Sequence, residues 1–206
     1  MNETVITVRG LDVELGGVRV VDGFDLDVWP GQVVSVMGAN GAGKSTLLRC
    51  LAGLQRPSAG AVSVLGRPPV DEPAFWRDVV LVAEEPAWYP GLSVREHVEL
   101  MRAVHDGARL EADAALELFG LAGRDDAAPL RLSTGQRQRL SLAMGLVRPS
   151  RLLLLDEPER GLDPEFLDRL PEILVAYQAD GGTVVMATHD DDLAWSTHRV
   201  RMEAPV

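Results

Sequence analysis

Lysine is almost missing from this chain: 19 of its 20 basic residues are arginines, and Lys44 stands alone. A compact, rotatable ammonium differs from the planar guanidinium fork, so a solitary lysine in an arginine-biased chain points to a position that does not accept the fork. Cysteine is equally scarce. Cys50 has no partner for an internal disulfide and lies in the apolar stretch of a predicted helix, which suits a reducing compartment such as the cytoplasm. Basic charge is outweighed, with 31 acidic residues giving a formal charge of −11. That balance disfavours nucleic acid as a partner and adsorption to anionic lipid. No apolar run reaches the ~18 to 20 residues that span a bilayer, and Met1-Asn2-Glu3-Thr4 lacks the features of a signal peptide. The expectation is a soluble chain without direct membrane insertion, whose membrane role, if it has one, runs through protein contacts.

What is present suits one large domain or one domain with a small subdomain, since 206 residues that are 46% hydrophobic can bury a proper core. The first third reads as short strands at Val5 to Val8, Leu11 to Leu15, Val18 to Val21 and Phe24 to Val28, an antiparallel flap. After Trp29-Pro30-Gly31, the run Val33 to Met37 predicts a buried strand feeding a glycine-rich loop and a helix from Lys44 to about Ala52. Val79 to Ala83, Leu152 to Leu155 and Thr183 to Ala187 have the length and branching of strands buried on both faces of a parallel sheet. Ser93 to His105 and Glu111 to Phe119 are predicted helices, placed where a helical subdomain, roughly 86–148, is inserted between two strands.

The loop Gly38-Ala39-Asn40-Gly41-Ala42-Gly43-Lys44-Ser45 meets the pattern G-x-x-x-x-G-K-[ST]. At average residue frequencies that pattern arises by chance in on the order of 1% of chains of this length. The glycines let several N–H groups face inward as an anion nest at the positive end of a helix, and Lys44 adds charge beside the outer phosphates. Ser45 offers a hydroxyl to magnesium, and Thr46 completes the candidate set. A bare glycine turn would explain the glycines but not the lysine and serine. The loop is expected to bind ATP with Mg2+.

Downstream, Leu152-Leu153-Leu154-Leu155-Asp156-Glu157-Pro158 puts two acids at a strand end, where open parallel sheets present ligand groups. Asp156 is expected to hold magnesium through a water, and Glu157 to polarise the water that attacks the terminal phosphate. His189 follows the run Thr183 to Thr188 and emerges at another strand end, where an imidazole can hydrogen-bond that phosphate. His97, His105 and His198 have no such setting and read as surface or packing residues.

At Leu132-Ser133-Thr134-Gly135-Gln136-Arg137-Gln138-Arg139 the sequence resembles the signature motif of ABC-type ATPases. The resemblance covers essentially the whole chain: the phosphate loop, the signature about twenty residues before Asp156-Glu157, Gly161-Leu162-Asp163 like the family's D-loop, and Thr188-His189 like its switch histidine. It implies an α/β P-loop NTPase fold with a mostly parallel core sheet, an antiparallel β flap and an inserted helical subdomain. It further implies that two subunits, as a homodimer, meet head to tail and trap two ATP molecules, with Ser133, Thr134, Gly135 and Gln136 of one facing the phosphate bound by Lys44 of the other. Gln136 to Val147 would form the helix behind the signature. The leading functional expectation is the ATP-hydrolysing subunit of a membrane transporter, peripheral on the cytoplasmic face beneath a separate membrane-spanning permease. Glu84 and the stretch Pro86 to Glu96, with Trp88, Tyr89 and Leu92, mark the expected coupling surface, local packing being the other reading of those three.

Four positions depart from the family pattern. Glu84 stands where a glutamine is usual; it can still ligate magnesium but loses the amide donor and adds negative charge beside a polyanion. Leu15 stands where an aromatic would stack on adenine, replacing stacking by apolar contact worth ~1 kcal/mol less. Thr134 replaces the first signature glycine, and Arg160 replaces a frequent serine. These substitutions bear on the rate of hydrolysis more than on ATP binding. They also keep in play a regulatory subunit that hydrolyses little, against which Glu157 argues. A soluble ABC-type ATPase acting on ribosomes or DNA is disfavoured by the lack of tandem domains, coiled-coil insertions and basic surfaces. The chain reads as a minimal motor subunit, similar in length to compact exporter subunits such as the small haem-export type.

Overall fold

The computed structural model describes residues 3–83, 87–105, 107–194 and 197–205. Two sheets carry the fold. The first is antiparallel, with strand order β2-β1-β4: β1 spans Ile6–Leu15, β2 Val18–Val28 and β4 Ala59–Val64. The four short strands read from the sequence are therefore two long ones. What looked like strand ends are bulges: the β1–β2 register shifts between Val8 and Leu11 and again before Val13, with Gly10 and Gly23 at positive φ. Side chains satisfy the displaced backbone, Asp25 accepting from the Gly10 N–H at 2.7 Å and Asp12 from the Gly23 N–H at 2.7 Å.

The second sheet is wholly parallel, in the order β5-β6-β7-β3-β8, from Val79–Val82, Leu152–Asp156, Thr183–Thr188, Val33–Met37 and His198–Arg201. Every residue of β6 and β7 is buried, as their unbroken apolar runs require. β4 and β8 were not legible. β4 is built of small residues, and Gly60 lies so close to β1 that a Cβ there would meet the Gly10 carbonyl at 2.1 Å. β8, His198-Arg199-Val200-Arg201, is a mostly exposed edge strand with one apolar residue.

Helices fill both faces. α1 (Lys44–Leu51) packs with the flap and one face of the parallel sheet. α3 (Val94–Val104), α4 (Ala112–Leu118), α5 (Thr134–Leu146) and α6 (Pro164–Ala179) pack on the other, around Phe119, Leu140, Phe166 and Leu170; α2 is the single turn Pro73–Trp76. α3 begins at a capping box between Ser93 and Glu96. α6 contains Pro171, a residue that breaks the helical pattern when only the sequence is read. Cys50 is fully buried on α1, and burial pushes its thiol up to about 11. Among the described residues no helix is long and apolar enough to cross a membrane.

Parallel pairing decides where the chemistry sits. Met37 pairs with Thr188 and Asp156 with Ala187, so the carboxyl ends of β3, β6 and β7 lie side by side. Three loops meet at that edge: residues 38–43 after β3, residues 157–163 after β6 and residues 189–193 after β7.

Candidate active site at the strand ends

Gly41 and Gly43 turn the phosphate loop through φ of 83° and 92°, and Gly43 is the N-cap of α1. A Cβ at Gly43 would lie 2.3 Å from the Val20 carbonyl, and one at Gly38 2.3 Å from the Met202 carbonyl. The loop is thus pressed between the flap and the residue that follows β8, a support that no motif announces. Lys44 is 5% exposed, and its ammonium donates to the carbonyls of Gly38 at 2.7 Å and Ala39 at 3.1 Å. The lone lysine is therefore folded over the loop it belongs to. Asn40 and Ala39 lie exposed at the loop's tip, Ala42 is buried beneath, and Ser45 and Thr46 are half-buried in the first turn of α1.

The Ser45 hydroxyl donates to Asp156 Oδ1 at 2.9 Å, joining the phosphate-loop helix to the end of β6. Burial raises the Asp156 carboxyl above the usual carboxylate range, against the lowering effect of the Ser45 hydroxyl, with the Glu157 charge raising it further and Arg49 and Lys44 opposing. A desolvated carboxylate beside a hydroxyl is a pair of hard oxygen donors that suits magnesium, which takes one or two protein ligands and completes its shell with water and phosphate. Among the described residues no cluster of three or more His, Cys, Asp and Glu forms a self-sufficient metal cage. Glu84, expected as a further ligand, lies outside the described residues.

Glu157 has φ of 47°, one of two non-glycine residues at positive φ among those described. Its N–H donates to Ala187 O at 2.9 Å, and its carbonyl receives the Arg160 N–H at 3.1 Å. This strained corner turns its side chain towards His189, whose Nδ1 lies 3.8 Å from Glu157 Oε1. His189 also faces an unforeseen residue, Glu159, at 3.4 Å.

The signature begins α5. Ser133 is the N-cap, accepting from the Gln136 N–H at 3.2 Å while the Gln136 side chain accepts from the Ser133 N–H at 3.0 Å. The ordinary capped helix and the signature are thus one object: the serine oxygen accepts from the backbone, and no acceptor among the described residues takes its own proton. The helix starts two residues earlier than Gln136. Thr134 sits against the D-loop of its own chain, where a Cβ at Gly161 would lie 3.0 Å from its Cγ2, and its hydroxyl accepts from Arg137 at 3.3 Å. Gly135 is closer still, since a Cβ there would meet the Gly161 carbonyl at 2.3 Å. Two further ties bind α5 to the loop after β6. The buried Gln138 amide donates to Pro158 O at 3.2 Å, and Arg139 donates to Asp163 Oδ2 at 2.8 Å. Asp163 also caps α6 through the Phe166 N–H at 3.0 Å. Arg160 belongs to the same loop.

Leu15 ends β1 at the hairpin tip, 39% exposed, beside Val18 at 64%. Because Val20 and Val21 of the same hairpin touch Gly43, this apolar tip flanks the phosphate loop. Trp88 packs against the helical core and edge-on to His97, whereas Tyr89 stays half exposed and Leu92 partly so. His97 is fully buried: its Nε2 accepts from the Tyr89 N–H at 3.0 Å, which leaves Nδ1–H to donate to Ser93 O at 2.7 Å. It is a packing residue. His198 is exposed at the start of β8, and His105 is the C-cap of α3.

The family model described as ABC transporter matches residues 21–160, from the flap through the acidic strand end. The chain belongs to the ABC transporter family. As a member it is an ATP-binding, ATP-hydrolysing subunit of the ABC type, on the α/β fold of those cassettes. It is 40% identical over 195 residues to the cytochrome c biogenesis ATP-binding export protein CcmA of Bordetella bronchiseptica, covering 93% of this chain and 86% of that one. It is 33% identical to the spermidine/putrescine import ATP-binding protein PotA of Spiroplasma citri over 94% of this chain, and spans 57% of that longer relative. Among solved structures, a bacterial ABC transporter cassette determined as a dimer superposes with a TM-score of 0.84 at 25% identity, covering 96% of this chain and 94% of the other.

Proposed function

We propose that this subunit works as a homodimer on the cytoplasmic face of the membrane, beneath a separate membrane-spanning permease, hydrolysing ATP with Mg2+ at sites shared between the two copies. The observation that carries the reading is the meeting of Ser45, Asp156, Glu157 and His189 at one edge of the parallel sheet, with Ser45 and Asp156 in direct contact at 2.9 Å. Residues 38–46 hold the phosphates through inward N–H groups and the Lys44 ammonium, with Leu15 giving the base an apolar contact. Ser45 and Asp156, the latter through a water, with Glu84 as a further candidate, would hold magnesium, which would offset the phosphate charge. Glu157 accepts a proton from the attacking water, and His189 donates to the terminal phosphate.

The signature completes the site from the second copy. In its own chain the Ser133–Gln136 box is satisfied, and the first turn of α5 still has N–H groups with no partner in the helix, as every helix start does. Residues roughly 86–148 act as a helical subdomain that carries this helix start to the facing phosphate. Tyr89 and Leu92 offer apolar groups to the permease, whereas Trp88 serves local packing. Glu157→Gln tests the assembly: with saturating ATP and magnesium the variant is expected to migrate as a dimer and to release phosphate at least about 100-fold more slowly than wild type. A monomer under those conditions would sink the shared-site reading. Equal phosphate release by the two proteins would sink the role of Glu157.

A further inference from the structure

Glu159 is a buried carboxylate in an exposed-looking sequence, Pro158-Glu159-Arg160, and nothing assigned so far uses it. Its residue is 7% exposed. Oε1 accepts from the Thr188 hydroxyl at 2.5 Å and from the His189 backbone N–H at 3.3 Å, and lies 3.4 Å from His189 Nδ1. Thr188, fully buried, accepts in turn from the Asp190 N–H at 3.0 Å. The second carboxylate oxygen, Oε2, is buried with no hydrogen-bond partner among the described residues. Burying a carboxylate with one oxygen unsatisfied is costly, so plain packing is a poor reason for its position. The contacts of its side chain all run to one place, the corner where β7 ends and His189 begins.

We propose that Glu159 is a positioning residue for hydrolysis: it pins the Thr188–His189 corner so that the imidazole stands beside Glu157. Without the tie, the half-exposed His189 side chain is free to swing away from the strand end, since the residues that follow run through turns rather than a strand. A misplacement of about 1 Å at a reacting centre can cost on the order of 100-fold in rate. The contribution of Glu159 is exerted through His189, and therefore rests on the role given to His189 above.

The test is steady-state turnover of the purified chain with magnesium ATP, alongside binding of a fluorescent ATP analogue and thermal melting, for Glu159→Ala, Glu159→Gln, Thr188→Val, His189→Ala and the double variants with His189→Ala. We expect Glu159→Ala to lower kcat by about 10-fold or more with nucleotide affinity within about 2-fold, and Glu159→Gln, which keeps the acceptor, to stay within about 3-fold of wild type. In the His189→Ala background, Glu159→Ala is expected to cost nothing more, because groups that act as a unit are non-additive. Should Glu159→Ala not fold, Thr188→Val cuts the same tie from the other end and carries the same expectation. If His189→Ala lowers turnover but Glu159→Ala or Thr188→Val does not, or the losses add in full, the positioning role is overturned and the reading of His189 stands. If His189→Ala itself turns over normally, that reading falls and takes this one with it.

Discussion

The phosphate-binding side and the signature side are built on different plans. On the first, contacts converge from distant parts of the chain: Ser45 reaches Asp156 at the end of β6, and the flap and Met202 brace the glycines from two directions. On the second, the bonds turn back on their own chain. Ser133 and Gln136 satisfy each other, Gly135 is wedged against Gly161, and Gln138 and Arg139 bolt the helix to the loop after β6. One side gathers its groups from distant parts of the chain around the phosphate loop; the other is a locally satisfied helix start, which the proposed reading sets against a second copy. In the dimer proposed above the difference has a consequence: Gln138, Arg139 and Gly135 tie the signature helix to the loop after β6, so a surface proposed to face one ATP is joined to the residues proposed to hydrolyse the other.

Lys44→Ala should break this comparison on the phosphate-loop side, with the largest effect. Losing the only ammonium against a triphosphate removes charge-assisted contacts of about 1.5–3 kcal/mol each, so ATP binding to the isolated chain is expected to weaken on the order of 100-fold, read by calorimetry. Lys44→Arg is expected not to rescue it, because the planar fork does not reproduce an ammonium held by the carbonyls of Gly38 and Ala39.

Gly135→Ala attacks the other side. A Cβ placed 2.3 Å from the Gly161 carbonyl forces the helix start or the D-loop to shift. Turnover is expected to fall about 10- to 100-fold while ATP affinity of the monomeric chain stays within about 2-fold. If affinity falls as steeply as turnover, the two sides are not separable in the way their bonding suggests.

Much of the candidate site was legible in the sequence because its physics is local. Glycines before a lone lysine and acids after four leucines are short-range patterns, and an apolar run ending in a polar group places that group at a sheet edge. The brace from Met202 and the Glu159–Thr188 bond were not, since they join residues far apart or sit in unremarkable surroundings. The flap was misread for a physical reason as well: Gly10 and Gly23 look like turns but are bulges whose backbone is satisfied by Asp25 and Asp12. Thr134 shows the limit at the signature. Its contact with Gly161 and the bond it accepts from Arg137 depend on the D-loop beside it and on the turn of α5, which only the fold supplies.

Asp156→Asn sharpens the comparison by separating ligand binding from folding. Burial holds the Asp156 carboxyl above its ordinary range, so the folded chain binds this proton more tightly than the unfolded one. Stability is then lost as pH rises through the carboxylate range to the raised folded value, and asparagine avoids that loss. In nucleotide-free thermal melts the variant should match wild type in acid and become the more stable protein towards neutral pH. Magnesium-dependent turnover should fall at the same time. A variant less stable than wild type at neutral pH would mean that the charge is already compensated by Arg49 and Lys44.

The smallest effect is expected at the Arg139–Asp163 pair, which ties the signature helix to the D-loop at 2.8 Å. Asp163 is nearly half exposed, so solvent screens the pair and its coupling should be only about 0.5–1 kcal/mol in a double-mutant cycle of Arg139→Met and Asp163→Asn, read from urea melts. Asparagine keeps the cap on the Phe166 N–H, so the cycle isolates the charge pair from the start of α6. Were the tie only a source of stability, turnover at saturating ATP would be unchanged once folding is accounted for. A rigid junction between signature and catalytic loop predicts instead that either single variant lowers turnover a few-fold, about 2- to 5-fold, and that the double variant is no worse than the weaker single.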